Sequence, residues 1–133
     1  MTTFIDTNVL IYLLDEQADH HEWSREQLDV CRGRGPALIS DIVYCEFAVG
    51  MASQEAVDLA ISELAIERIA ATDEVLFRAA MAFKEYRGSD REIKRVLPDF
   101  LVGAIADIYH APLLTNNSAD FTKYFPKLEL ITP

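Results

Sequence analysis

The sequence predicts an α/β fold, a mostly parallel sheet covered on both faces by helices, and three observations predict it. Short β-branched or apolar runs recur along the chain, each separated from the next by a stretch of helical periodicity. Half of the 133 residues are hydrophobic and 13 are aromatic (7 Phe, 5 Tyr, 1 Trp), a composition suited to a packed core rather than a disordered chain. The length fits one domain, residues 1–133, able to bury roughly 68–70% of its unfolded surface.

Thr3 to Ile5 is a β-branched and aromatic run ending at Asp6, after which Val9, Leu10, Leu13 and Leu14 recur at helical spacing. His20 to Cys31 reads as a second helix carrying Trp23, Leu28 and Val30, closed by a Gly33-Arg34-Gly35-Pro36 loop, with His20 and His21 as its solvated start. Ala37 to Ile39 follows as a strand. Ser40 and Ser53 each offer a side-chain oxygen to orphan amides, so each is expected to cap a helix, the first to Gly50 and the second to about Leu64. Ile66 to Ala70 is a candidate strand. Thr72 opens a helix with Val75, Leu76, Ala79, Ala80 and Phe83 apolar, stopping near Arg87-Gly88-Ser89. Pro98 suits the first turn of a helix running to about His110; Pro112 to Thr115 and Leu128 to Ile131 complete the strands, with Asp120 able to cap a short turn toward Tyr124. Sheets of this kind place their sites at the carboxyl ends of strands, where Asp6 and Asn116-Asn117 stand.

The longest early apolar stretch, Val9 to Leu14, is far short of the roughly 20 residues a membrane span needs, and no basic region precedes it. A cytoplasmic protein is expected. Cys31 and Cys45 share no CxxC spacing and fall in helical stretches, so buried thiols are expected rather than a disulfide or zinc site. The three His residues show no HExxH-type spacing. The formal net charge of -10 opposes unspecific attraction to a phosphate backbone. Two features work against that: Lys84, Arg87, Arg91, Lys94 and Arg95 fall in one stretch, and divalent cations would neutralise clustered acids. The stretch is equally compatible with a solvated helix end, since Glu85, Asp90 and Glu92 dilute it.

Three acids draw attention. A 100° projection places Glu46 beside Ile42, Val43, Val49 and Gly50, so its carboxylate is expected to leave an apolar stripe, where an acid is protonated, salt-bridged to an Arg or bound to a metal. Asp99 faces away from Phe100, Leu101, Ala104, Ile105 and Ile108, with Gly103 and Ala106 beside it. Those small residues suit a ligand or close helix packing, and an acid in a first helical turn is favourable by itself. Asp6 equally suits a helix cap, and Asn116, Asn117 and Ser118 an ordinary turn. Jointly, however, several hard oxygen ligands are what metal-assisted phosphodiester hydrolysis requires.

Phe4-Ile-Asp-Thr-Asn-Val-Leu10, Cys45-Glu-Phe47, Leu97-Pro-Asp-Phe-Leu-Val-Gly-Ala104 and Leu113-Leu-Thr-Asn-Asn117 with Asp120-Phe121 carry a resemblance in order and spacing along the whole chain. The sequence is similar to PIN-domain proteins, and among them to the VapC-type toxins of bacterial toxin–antitoxin pairs. The resemblance implies a three-layer α/β/α sandwich and a Mg²⁺- or Mn²⁺-dependent endoribonuclease that cuts RNA with activated water. It also implies a homodimer inhibited by a small antitoxin whose segment fills the active-site groove. Asp6, Glu46 and Asp99 match the family's three acids, expected to bind metal directly or through water, one of them orienting the attacking water. The fourth position, often Asp, is Asn117, whose amide carries no charge, while Asp120 offers a compensating acid and Thr115 matches a position that helps hold the site. Arg87, Arg91, Lys94 and Arg95 are expected to grip RNA phosphates.

Two other readings compete. A PIN-like module that binds RNA or a protein without cutting is kept alive by Asn117. A phosphate-accepting receiver domain expects adjacent acids after its first strand and a Lys after its last. Here Asp6 is followed by Thr7 and Asn8, and no Lys follows Leu130.

Overall fold

The computed structural model describes residues 1–89 and 96–133, and of Ser89 and Asp120 only the backbone. Five strands form one parallel sheet: β1 (Thr3–Ile5), β2 (Ala37–Ser40), β3 (Glu67–Ile69), β4 (Leu113–Leu114) and β5 (Leu130–Ile131), in the order β3-β2-β1-β4-β5. Seven helices among the described residues connect them: α1 (Thr7–Leu14), α2 (His21–Arg34), α3 (Asp41–Ala48), α4 (Gln54–Glu63), α5 (Asp73–Ser89), α6 (Leu97–Ile108) and α7 (Ala119–Thr122). The chain steps outward from β1 to β3, then crosses back to β4. Right-handed crossovers therefore put α1 to α4 on one face and α5 to α7 on the other. This is the α/β/α sandwich expected from the sequence.

Every residue of β1 is buried, as both-face coverage of a parallel sheet demands, and Phe4, Ile5, Ile39, Leu113 and Leu114 form the centre of the core. Ser40, Ser53 and Thr72 cap their helices as expected, through Val43 N (3.4 Å), Ala56 N (3.1 Å) and Val75 N (3.3 Å). On the second face, Phe83 of α5 and Tyr124 after α7 meet Phe100 edge-on at 5.3 and 5.5 Å between ring centroids. That aromatic contact fixes the first turn of α6, and with it the neighbouring Asp99. Gly103 lies against the Phe125 ring, which a Cβ there would overlap, so its small size serves close packing and not ligand space.

Several boundaries differ from expectation. Helix α2 runs through Gly33 to Arg34 because Cys31 stays in the core and an exposed glycine meets nothing that would end the helix. Asp120 lies inside α7 rather than capping it, since the chain enters that turn at Ser118. Cys45 is exposed, not buried, because Val43 and Phe47 carry the buried stripe of α3.

Candidate functional site

The strand order reverses at β1, whose two neighbours β2 and β4 lie on opposite sides, and crevices at such switch points open at the carboxyl ends of the strands. Asp6 follows β1 and Thr115 follows β4, so both stand at that crevice. The backbone ties them: Asp6 N donates to Leu114 O at 2.9 Å. Asp6 is also the N-cap of α1, its Oδ1 accepting from Thr7 N at 2.8 Å. Its other oxygen, Oδ2, accepts from Thr115 Oγ1 at 2.7 Å and from Asn8 Nδ2 at 3.2 Å. Thr115 is fully buried, and its hydroxyl oxygen accepts from Asn117 N at 3.0 Å while its proton goes to Asp6. Glu46 enters from α3, where its Oε1 accepts from Thr7 Oγ1 at 2.9 Å. Burial pushes the Asp6 carboxyl above its ordinary value. Hydrogen bonds from Thr115, Thr7 and Asn8 oppose that shift, and the negative charge of Glu46 adds to it.

A buried carboxylate beside a second acid, held by neutral donors and paired with no described Lys or Arg, has the chemistry to attract a cation. The PIN domain family model matches residues 3–124. The chain belongs to the PIN-domain family. No curated protein matches it significantly. Among solved structures, it is similar to VapBC2 from Rickettsia felis bound to a promoter DNA fragment, at 22% identity and TM-score 0.77, covering 99% of this chain and 98% of that one. VapBC-1 from nontypeable Haemophilus influenzae matches at 20% identity and TM-score 0.72, over 99% and 98%. Mycobacterium tuberculosis VapC20, a sarcin–ricin loop cleaving toxin, matches at 16% identity and TM-score 0.56, over 82% and 84%. At these identities the likeness establishes the fold, that of PIN-domain proteins.

The acids of this PIN domain are not equally placed. Asp6, not Glu46, is the buried one: Glu46 is exposed, because Val43 and Phe47 take the inward positions and Val49, past the helix end, is 87% exposed. The apolar stripe read around Glu46 therefore does not enclose it. Asp99 is the third residue of α6, with Oδ2 accepting from Val96 N at 3.5 Å. Helix α6 feeds down into β4, so its first turn points to the carboxyl edge where Asp6 and Thr115 lie. Asn117 reaches the cluster through its backbone. Asp120 has its backbone in α7, its side chain lying outside the described residues. Lys84 and Arg87 are exposed beside an open cavity on the last turns of α5; Arg91, Lys94 and Arg95 lie outside the described residues.

Tyr12 of the site went unread in the sequence, Thr7 and Asn8 were read only as part of the opening motif and the start of a helix, and Asn116 only as a turn residue at the end of a strand. Asn8 Oδ1 accepts from Asn116 N at 3.1 Å, and Asn116 Nδ2 donates to the Tyr12 hydroxyl at 2.9 Å. The signal available was positional, since Asn8 and Tyr12 are one turn apart in an otherwise apolar helix that begins at Asp6.

Proposed function

We propose that this PIN-domain chain is a metal-dependent endoribonuclease, the toxin of a toxin–antitoxin pair, with Asp6 at the centre of its site. The observation that carries this reading is the buried Asp6 carboxylate, held by three neutral donors and electrostatically coupled to Glu46. Among the described residues no three His, Cys, Asp or Glu side chains stand close enough to share one ion. Mg²⁺ nevertheless fits the site, because it is commonly bound by one or two carboxylates and keeps several waters. Asp6 and Glu46 would hold Mg²⁺ or Mn²⁺, with Asp99 reaching it through water. When bound, the ion supplies Lewis acidity and charge neutralisation toward a phosphodiester.

The chain's own residues then have separable roles. Thr115 fixes one Asp6 oxygen and Asn8 steadies it, so the carboxylate stays aimed into the crevice. Thr7 holds Glu46, and Glu46 or Asp99 orients the attacking water. Lys84 and Arg87, with Arg91, Lys94 and Arg95, supply positive charge for RNA phosphates on a chain that is otherwise acidic. Asn117 contributes no charge to the site.

A solved structure of similar fold from Klebsiella pneumoniae is a toxin–antitoxin complex, and an apolar groove of about 310 Å³ between α1 and α3 runs past Glu46. Ile11, Leu14, Phe47 and Met51 line it. An antitoxin segment lying there would cover Glu46. A homodimer is assigned to the exposed apolar residues of α5, Leu76, Phe77 and Met81.

The test is incubation of purified protein with structured RNA and Mg²⁺ or Mn²⁺, against EDTA, Asp6→Asn and Asp99→Asn. Cleavage by wild type alone, abolished by EDTA, is expected. Equal cutting by both variants would sink the acidic-site reading. Because Asn117 is an amide and, among the described residues, no third acid stands close enough to Asp6 and Glu46 to share one ion directly, a second reading is a PIN module that binds RNA without cutting it. RNA binding with no cleavage under any divalent ion would select that reading.

A further inference from the structure

The strongest feature outside the acids is a row of rings that starts at the site and leads away from it. Tyr12 lies one helical turn beyond Asn8 on α1, so both project from the same side of that helix as it leaves Asp6. The Tyr12 ring is 5.4 Å from that of His20, which is 6.4 Å from Trp23. Trp23 packs against the core; Tyr12 is half-buried but outside the core cluster. Tyr12 is nonetheless held at both ends. Its carbonyl accepts from His21 Nδ1 at 2.7 Å and from Asp15 N at 3.3 Å, and its hydroxyl accepts from Asn116 Nδ2 at 2.9 Å. Asn116 in turn is fixed by Asn8, which also bonds Asp6.

A tyrosine ordered in this way, with its own O–H proton meeting no acceptor among the described residues, has more restraint than core packing requires. We propose that Tyr12 is a substrate-binding residue whose ring seats an unpaired RNA base next to the phosphate that a divalent ion at Asp6 and Glu46 would hold, with the Asn8–Asn116 pair setting the spacing. This rests on the ribonuclease reading. Single-stranded RNA is recognised by stacking of splayed bases on aromatic side chains, and the π-face makes such a seat tolerant of base identity. The phenol proton and the Asn116 amide lie at its rim, where they can meet base edges or the 2′-hydroxyl. The same neighbours explain why the rings continue to Trp23: His20 backs Tyr12 and Trp23 backs His20, so the seat cannot fold away.

Trp23, the single tryptophan, provides the readout. Its fluorescence is followed during titration, with Ca²⁺ in place of Mg²⁺ so that the acids stay neutralised, using a single-stranded RNA 10-mer and an abasic ribose-phosphate 10-mer of equal charge. Wild type is expected to prefer the base-bearing strand. Tyr12→Ala and Tyr12→Leu are expected to lose that preference by roughly 5- to 150-fold while keeping their affinity for the abasic strand. Tyr12→Phe, which keeps the ring, is expected to retain it. Loss of affinity for both strands alike marks a folding role and overturns the seat, as does an unchanged base preference in Tyr12→Leu. If wild type binds neither strand and cuts no RNA, the ribonuclease reading falls and the seat with it. If wild type cuts RNA but shows no base preference, only the seat falls.

Discussion

Replacing Asp6 with asparagine changes one oxygen for an amide and removes one buried charge, and the structure lets the two consequences be weighed. The amide oxygen can still accept from Thr7 N, so the cap on α1 survives. The amide nitrogen, however, would face two donors, Asn8 Nδ2 at 3.2 Å and Thr115 Oγ1 at 2.7 Å. The Thr115 hydroxyl oxygen already takes the Asn117 amide at 3.0 Å; its second lone pair can accept from the new amide only if its proton turns away from position 6, where it loses its present acceptor. Hydrogen bonds to a charged group contribute roughly 1.5–3 kcal/mol each, and two are altered. Against this stands the relief of a carboxylate whose burial raises its pKa and whose neighbour Glu46 repels it. The terms oppose each other, so the metal-free variant is expected within about 2 kcal/mol of wild type. Divalent ion separates the two proteins. At a hundredfold excess over its Kd an ion bound only by the folded state adds about 2.7 kcal/mol. For a chain of this size that is a Tm rise of roughly 8–10 °C. Calorimetry of both proteins across a Mg²⁺ and a Mn²⁺ titration measures it. Wild type is expected to climb and Asp6→Asn to stay flat; an equal climb in the two would refute Asp6 as the metal-binding centre.

The same carboxylate gives a pH dependence. Its folded pKa is raised, so the folded state takes up the proton more readily, and metal-free wild type gains stability relative to Asp6→Asn as pH falls through that raised value toward the ordinary 3.8. Metal-induced stabilisation moves the other way, fading at a higher pH than an unperturbed Asp would allow; Tm against pH with and without Mg²⁺ checks both. Gly103→Ala sets a Cβ against the Phe125 ring, itself only 1% exposed, and is expected to cost about 1–3 kcal/mol in a guanidinium melt with no change in metal response. Arg78→Met removes bonds to Asp107 Oδ2 and Tyr124 O, both 3.1 Å, and a cation–π contact 4.7 Å above Phe125. The expected loss is about 2–3 kcal/mol by the same melt.

Local signals were enough for the layers of the fold. The β-branched run at Thr3 to Ile5, the caps at Ser40, Ser53 and Thr72, and the proline at position 98 each act within a few residues, and each element appears where they put it. Boundaries set by tertiary contact were not legible. Gly33 reads as a breaker, yet Cys31 in the core keeps α2 helical past it. His20 and His21 read as a solvated start, whereas one lies between aromatic rings and the other holds the Tyr12 carbonyl. Nothing local distinguishes those outcomes, because Tyr12, the partner both share, comes from a different helix.

The ranking of the acids shows the same limit at the site. An angular projection treats α3 as long enough to have an apolar face around Glu46, but the helix stops at Ala48 and only Val43 and Phe47 are buried. Glu46 is thereby exposed while Asp6 is buried, the reverse of what the projection suggested. Asp6 looked like a cap, and it is a cap; the same short side chain that satisfies Thr7 N leaves its second oxygen to face Thr115. A capping acid at the end of a central strand has one oxygen committed to the helix and one turned toward the neighbouring strand. At a switch point that second oxygen lies in the crevice. The structural role and the proposed metal-binding role of Asp6 are therefore one geometry, and a substitution that spares the cap while neutralising the second oxygen separates them.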